Sequence, residues 1–321
     1  MVVPGSLRVL ALAGGVGGAR LASGFSDLLG DRLTVLVNTG DDFEHLGLQI
    51  SPDLDTVMYT LAGISNLETG WGVAGETWNF MAQIERLGGP SWFRLGDCDL
   101  ATHAIRTERL TRGDTLTAIT ASLCRALDVR ARVLPMSNDK VRTIVHTDAG
   151  SLPFQDYFVR LQCNVAVSGF SFEGAAAARY NQELTLNATD DSLVVVICPS
   201  NPYVSIDPIL ALPGLRQAIA NTGAPVIAVS PIIGGAAVKG PAAKMMQELG
   251  IVPSALNVAG HYRHLIDAFV IDRSDSVSLG DIEAMGIVAR STNTLMRTQA
   301  DRVRLAQDCL EFAQSLRSGA S

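Results

Sequence analysis

The 321-residue chain is 47% hydrophobic and 18% charged, with a net charge of −7. That acidic balance excludes nucleic acid as the main partner, since neutralising a phosphate backbone needs a basic face, but it leaves room for a small anion held by local donors. The length suits one large α/β unit with an insertion, and no apolar run reaches the ~18 residues of a membrane span.

The chain starts MVVPGSLRVLALAGG, with no charged start or cleavage site, so Leu7 to Ala13 reads as a first buried strand and not a signal peptide. GGVGGAR (Gly14 to Arg20) follows, and then Leu21, Phe25, Leu28 and Leu29 repeat at helical spacing, with Gly30 placed as a C-cap. Strand, glycine turn, helix is the layout of a phosphate-binding loop, in which backbone N–H groups and the positive end of the helix dipole attract an anion. The spacing is that of neither a dinucleotide fingerprint nor a P-loop, and a tight turn that needs glycine only for packing is the plain alternative.

Leu33 to Val37 reads as a second buried strand. Asp41, Asp42, Asp53 and Asp55 come after it within fifteen residues. Loops at the carboxyl ends of strands are where ligands bind in open α/β sheets, and acidic residues there suit a divalent cation or a hydroxyl. The plain alternative makes Asp41 and Asp42 turn residues and Asp53 the cap of a helix starting near Leu54.

From Phe43 to Val129 strand signals disappear. Helices are expected at Asp55–Ala62, Glu76–Leu87, Leu100–Leu110 and Thr115–Leu127. Residues 43–129 therefore read as a helical insertion in a core made of 1–42 and 130–321. Within it, Arg94, Asp97, Asp99 and His103 form a polar cluster, in which no second His or Cys lies at zinc-ligand spacing. Arg132–Pro135 reads as a short strand. Val141–Thr147 and Ser151–Tyr157 alternate about Asp148-Ala149-Gly150 as a hairpin. Leu193–Cys198 and Val226–Ser230 are buried strands, each followed by a loop rich in Gly, Pro and Ser; Ser200, Asn201 and Ser205, with Gly234 and Gly235, offer small binding groups there, and Lys239 and Lys244 offer charge. Ala268–Ile271 and Ile287–Arg290 read as edge strands and Thr298–Leu316 as a closing helix. Cys98, Cys124, Cys163, Cys198 and Cys309 lie at no metal-ligand spacing and read as reduced thiols of a cytoplasmic protein.

The succession AGGVGGARLASG, VNTGDDFEHLGLQISPDLDTVMYTLAG, WGVAGETWNF, FRLGDCDLATHAIR, LPMSND, FQDYFVR, CPSNPYVSIDPILALPG, SPIIGGAAVKGPA and STNTLM, spread from Leu7 to Leu316, resembles the 2-phospho-L-lactate transferase family of coenzyme F-420 biosynthesis. The resemblance implies an α/β fold with a Rossmann-like, mostly parallel sheet and a helical insertion, in a homodimer. It implies transfer of a phospho-acyl moiety (phospholactyl, phosphoenolpyruvyl or 3-phosphoglyceryl) from a GDP-linked donor to the ribityl hydroxyl of the deazaflavin Fo, with release of GMP and a need for Mg²⁺. Motif for motif, Asp55 and Arg94 would contact Fo, and Asp55 would orient or deprotonate the attacking hydroxyl.

Chemistry at phosphorus needs alignment and charge neutralisation more than covalent help. Asp41 and Asp55 are accordingly the expected catalytic pair, and Asp41, Asp42, Asp53 and Asp55 the expected Mg²⁺ ligands. Gly14, Gly15, Gly17, Gly18 and Arg20 are expected on the donor phosphates, and Ser200, Asn201, Pro202 and Ser205 on the nucleotide side. Some relatives carry Glu-Asp where this chain has Asp41-Asp42, which leaves open which carboxylate ligates. A related family with the same glycine-rich start consists of non-catalytic, nucleotide-sugar-binding regulators of gluconeogenic metabolism. ETWN, FRLGDCDLATH and PSNPYVSIDPIL set this chain apart from it.

Overall fold

The computed structural model describes residues 6–188 and 190–319. Its centre is a seven-stranded sheet, every pairing of which is parallel. β1 (Arg8–Ala13) leads into α1 (Gly15–Leu29), which Gly30 closes, and then into β2 (Leu33–Val37). A small hairpin follows, β3 (Phe43–His45) and β4 (Leu48–Ile50), and then α2 (Pro52–Leu61), α3 (Asn79–Arg86), α4 (Asp97–Thr111) and α5 (Leu116–Ala126). β5 (Arg132–Pro135) returns the chain to the sheet beside β2.

An excursion then forms a separate three-stranded antiparallel sheet from β6 (Arg142–Thr147), β7 (Gly150–Pro153) and β8 (Val167–Glu173), in the order β7-β6-β8. β9 (Leu193–Ile197), α6 (Asp207–Leu210) and α7 (Leu215–Asn221) come next. β10 (Val226–Val229) is followed by a two-residue-stranded hairpin, β11 (Ile232–Ile233) and β12 (Ala236–Ala237). The chain closes with α8 (Ala242–Glu248), α9 (Ala255–Tyr262), β13 (Ala268–Asp272), α10 (Leu279–Glu283), β14 (Val288–Thr292) and α11 (Gln299–Gly319).

The sheet order is β14-β13-β10-β9-β1-β2-β5. From β1 the chain winds outward through β2 and β5, then returns to β9 on the other side of β1 and winds outward again. β1 and β9 therefore flank the switch point, where doubly wound sheets open a crevice at their carboxyl ends. Both faces of the sheet are covered, which is why its strands read as continuous apolar runs. Leu10, Leu12 and Leu36 enter the core on one face; Val9, Ala11, Ala13, Val35 and Val37 enter the core on the other, with α1, α2 and α11.

Several expectations shift. The glycine segment is not a loop: α1 begins at Gly15, leaving Gly14 alone as the turn. β13 is flanked by β10 and β14, so only β14 is an edge on that side. The hairpin arm expected over Ser151–Tyr157 stops at Pro153, where the chain turns helical. Residues 43–129 contribute to two hydrophobic clusters. α2 and α5 lie on the central sheet's core, whereas Ile50, Met81 and Leu95 gather a separate apolar cluster with Phe43, Trp78 and Phe93.

Candidate functional site

At the switch point lies a cavity of about 700 Å³, a size suited to a nucleotide-sized ligand. Its floor is the start of α1. Ser200, just past β9, receives Gly14 N–H at Oγ (3.1 Å) and donates Oγ–H to the Gly14 carbonyl (2.8 Å), stitching the two strand ends together. Gly17 is required by close approach, because a Cβ there would lie 2.2 Å from the Pro199 carbonyl oxygen. Gly15 adopts φ +59°, which favours glycine. Its N–H, the first of α1, donates to Asp53 Oδ1 at 2.7 Å. Asp53 thus caps α1 and not its own helix, α2, whose N-cap residue is Ser51.

Gly14, Gly15, Gly17, Arg20, Asp41, Asp53, Asp55, Arg94, Ser200, Asn201 and Ser205 all line this one cavity. Gly18, Pro202 and Asp42 do not. Gly18 faces Ser200 Oγ and Ala13, where a Cβ would meet them at 2.5 and 3.0 Å. Pro202 is buried in the turn leading to α6. Asp42 turns away from the cavity, accepting Ser51 Oγ–H at 2.8 Å. The cavity also reaches Lys239, expected from the sequence to offer charge, but not Lys244, and it reaches side chains to which the sequence assigns no role: Tyr59, Trp71, Phe158 and the Thr294–Met296 segment.

Two acidic corners differ in kind. In the first, Asp41, Asp42 and Asp53 are all buried. Asp53 Oδ2 accepts from Asn38 Nδ2 at 2.9 Å. Asp41 Oδ1 and Asp42 Oδ1 are buried without a hydrogen-bond partner among the described residues. Burial drives all three carboxyls upward. Asp53 rises to about 6, with Asn38 and the Gly15 N–H countering in part. Asp42 rises to about 7 against the pull of Arg142 and Ser51. Asp41 is raised well above the usual range by burial and by the Asp53 charge. Arg142 and Arg106 offset only part of this desolvation, which is the condition a hard divalent ion relieves.

The second corner is already neutralised. Arg106 grips both oxygens of Asp55, through Nη1 to Oδ2 at 3.1 Å and through Nη2 to Oδ1. Burial works against the Arg106 cation, but Asp55 outweighs it and holds the guanidinium charged. His103 Nδ1 lies 3.6 Å from Asp55 Oδ2 and its Nε2 lies 3.2 Å from Asp99 Oδ1, which also accepts the Tyr59 hydroxyl at 2.7 Å. Burial opposes ionisation of Asp99, yet the adjoining His103 ring and the Tyr59 hydroxyl hold it below the usual range. One ligand atom each from Asp55, Asp99 and His103 fall within 4.8 Å of one another. The bidentate guanidinium already supplies the cation there, so the first corner is the better-fitted metal site. Asp99, His103 and Arg106 stand at i, i+4 and i+7 on α4, one helical face. That spacing was readable; their partner Asp55, 51 residues from Arg106, was not.

Three cations line the cavity with no carboxylate within 4 Å among the described residues: Arg20, Arg94 and Lys239. Arg20 Nη1 donates to the Met296 carbonyl at 3.3 Å, and Arg94 lies over the Trp78 ring at 4.2 Å. The first N–H of α1 is spent on Asp53, so these three side chains carry the uncommitted positive charge of the cavity wall. All five cysteines are free thiols, and no helix among the described residues is long and apolar enough to cross a membrane.

Comparison with known proteins identifies the fold and the family. Solved structures that share the fold include a UPF0052 family protein from Bacillus halodurans, with TM-score 0.61 and 16% identity over 95% of this chain and 98% of that one. Among sequence relatives, the phosphoenolpyruvate transferase of Kitasatospora aureofaciens is 43% identical across 98% of this chain and 100% of its own length. That of Streptomyces griseus is 42% identical across 97% and 100%, and that of Mycobacterium avium 38% across 96% and 99%. Residues 9–304 match the family described as 2-phospho-L-lactate transferase CofD. The chain belongs to that family of transferases.

Proposed function

We propose that this protein transfers a phosphoenolpyruvyl group from a GDP-linked donor to the ribityl hydroxyl of the deazaflavin Fo, releasing GMP, in coenzyme F-420 biosynthesis. The choice of phosphoenolpyruvyl over phospholactyl or 3-phosphoglyceryl follows the names of the relatives above. The observation that carries the reading is the pairing of three uncompensated cations with a cation-starved acidic corner in one cavity. A polyanion bound with a divalent ion satisfies both at once.

Arg20 and Ser200, with Asn201 and Ser205, receive the donor's phosphates and nucleoside. Gly14, Gly15 and Gly17 act by letting the backbone come close. Arg94 and Asp55 hold the acceptor. The acceptor oxygen bonds to the phosphorus that bears the acid, the bond from that phosphorus to the GMP oxygen breaks, and the hydroxyl proton passes to water. With both oxygens held by Arg106, Asp55 is a poor base and acts by accepting one hydrogen bond from the hydroxyl, fixing its direction. The orphaned Asp41 Oδ1 and the Asp53 carboxylate fit Mg²⁺, which when bound supplies charge neutralisation at the bridging phosphates. Asp42 and Asp55 are less suited as ligands, one turned to Ser51 and one held by Arg106.

A one-pot assay tests this, with Fo, GTP, Mg²⁺, a guanylyltransferase and each of the three phospho-acids in turn, read by product mass. A product with phosphoenolpyruvate is the expected result. A product only with another acid corrects the donor. No product with any acid, together with tight binding of a nucleotide sugar, rejects the transfer in favour of a regulatory role. Light scattering checks the homodimer that the family resemblance implies.

A further inference from the structure

Lys239, one of the three cations lining the cavity, has been given no contact of its own so far, yet its position is specific. It follows the β11–β12 hairpin of the core and reaches across the cavity mouth to a loop of the segment between α2 and α3. A Cβ added to Gly70, which has φ +81°, would lie 2.5 Å from Lys239 Nζ and 3.4 Å from Val16 Cγ2. The ammonium therefore sits over the first turn of α1, against the backbone of the Asn66–Gly72 loop. No carboxylate lies within 4 Å of it among the described residues. Arg20, the other uncompensated cation on this wall, is one helical turn beyond Val16. Two cations spaced along the start of a helix match the spread of charge on a diphosphate.

The loop facing Lys239 is a self-contained unit. Asn66 N–H bonds the Gly72 carbonyl (3.0 Å), Gly70 N–H bonds the Asn66 carbonyl (3.0 Å) and Thr69 Oγ–H bonds the Trp71 carbonyl (2.7 Å). The unit is joined to the rest at its neck by the Ser65–Val73 bridge and the Ala74 N–H to Ile64 carbonyl bond of 2.7 Å, and at its tip by the edge-to-face contact of Trp71 with Trp78 at 6.1 Å. Bonds of this kind keep the loop's shape when its attachment shifts. It carries Trp71, which lines the cavity while 43% exposed. Such half-exposure of an indole is what a bound planar ligand covers.

We propose that Lys239 binds a donor phosphate and that this contact draws the Asn66–Gly72 loop inward, so that Trp71 completes the acceptor wall only after the donor has bound. The inference rests on the transferase reading above, and it makes binding ordered: donor first, acceptor second. Lysine suits the task because its three ammonium donors can hold a phosphate oxygen and a loop carbonyl together.

The test uses the full chain in Mg²⁺ buffer with GDP as probe, followed by calorimetry and tryptophan fluorescence. Wild type is expected to bind GDP with a change in fluorescence that Trp71→Phe abolishes. Lys239→Gln is expected to bind GDP about tenfold or more weakly and to show no Trp71 response even at saturation. Lys239→Arg, which keeps the charge, is expected to recover most of both. Lys239 is exposed, so neither replacement threatens the fold. Unchanged GDP affinity in Lys239→Gln, or a normal Trp71 response in it, overturns the inference while wild-type turnover leaves the transferase reading standing. A wild type that neither turns over nor binds GDP overturns both.

Discussion

Asp53 and Asp55 stand two residues apart on α2, line the same cavity and are equally buried, yet they live in opposite electrostatic worlds. Asp53 is held by neutral donors, the Gly15 N–H and the Asn38 amide, and its carboxyl is pushed up to about 6. Asp55 is held by a guanidinium in bidentate geometry. Neutral hydrogen bonds offset part of the desolvation of a carboxylate, whereas a formal countercharge offsets most of it. One corner is therefore built to be completed by a cation from outside, and the other is complete as folded.

The largest effect comes from breaking the complete corner. Arg106→Met leaves Asp55 buried beside Asp99 without its cation, and should cost about 3–5 kcal/mol of stability in urea unfolding. Adding Asp55→Leu to it should restore part of the loss. A single variant within about 1 kcal/mol of wild type would show that Asp55 draws its stability from elsewhere.

Breaking the open corner should spare the fold and remove the chemistry. Asp41→Asn should lower turnover by about 10²-fold or more and weaken the Mg²⁺ requirement, with unfolding in chelator close to that of wild type. A replacement that unfolds the protein and leaves the per-molecule rate intact would place Asp41 in the scaffold.

The same contrast sets the pH dependence. Asp41, Asp42 and Asp53 bind protons more tightly folded than unfolded, so between the ordinary carboxylate range and about pH 7 the native state holds the extra protons. Stability then falls as pH rises through that window. The carboxylates shifted the other way, such as Asp97 at about 2, finish titrating below it. Metal-free protein should therefore melt at lower temperature at pH 8 than at pH 5, and saturating Mg²⁺ should remove or reverse the slope. A metal-free Tm that climbs across the same range would contradict this account of the open corner.

How much of this was legible follows from the range of the interactions. The expected bounds of β2 and β5 match to the residue, and those of β1 and β9 to within one residue, because strands buried on both faces announce themselves as apolar runs. The β3–β4 hairpin was missed because its turn uses Leu46 at φ +53° before Gly47, where an Asn or Asp would have given the signal. β8, VSGFSFE, is one-sided and pairs only with β6, so its pattern is weak. The aspartate cluster was visible as a cluster, but its division was not. The division depends on Asn38 and Arg106, which approach from a strand end and from α4, and only the packing of those elements decides which carboxylate receives a charge.

The smallest expected effect tests that division most sharply. Asp42 belongs to the same run of sequence as Asp41 but faces Ser51, outside the cavity. Asp42→Asn keeps an oxygen for the Ser51 hydroxyl and deletes a charge whose carboxyl stands near 7 in the folded protein. At pH 5 that carboxyl is already protonated, so stability should not change. At pH 8 the variant is spared the burial of an ionised group and should gain about 1 kcal/mol or more, flattening the pH slope of the metal-free protein. Turnover should stay near wild type, since this side chain does not line the cavity. Loss of turnover comparable to that of Asp41→Asn would move Asp42 into the metal set alongside Asp41 and Asp53.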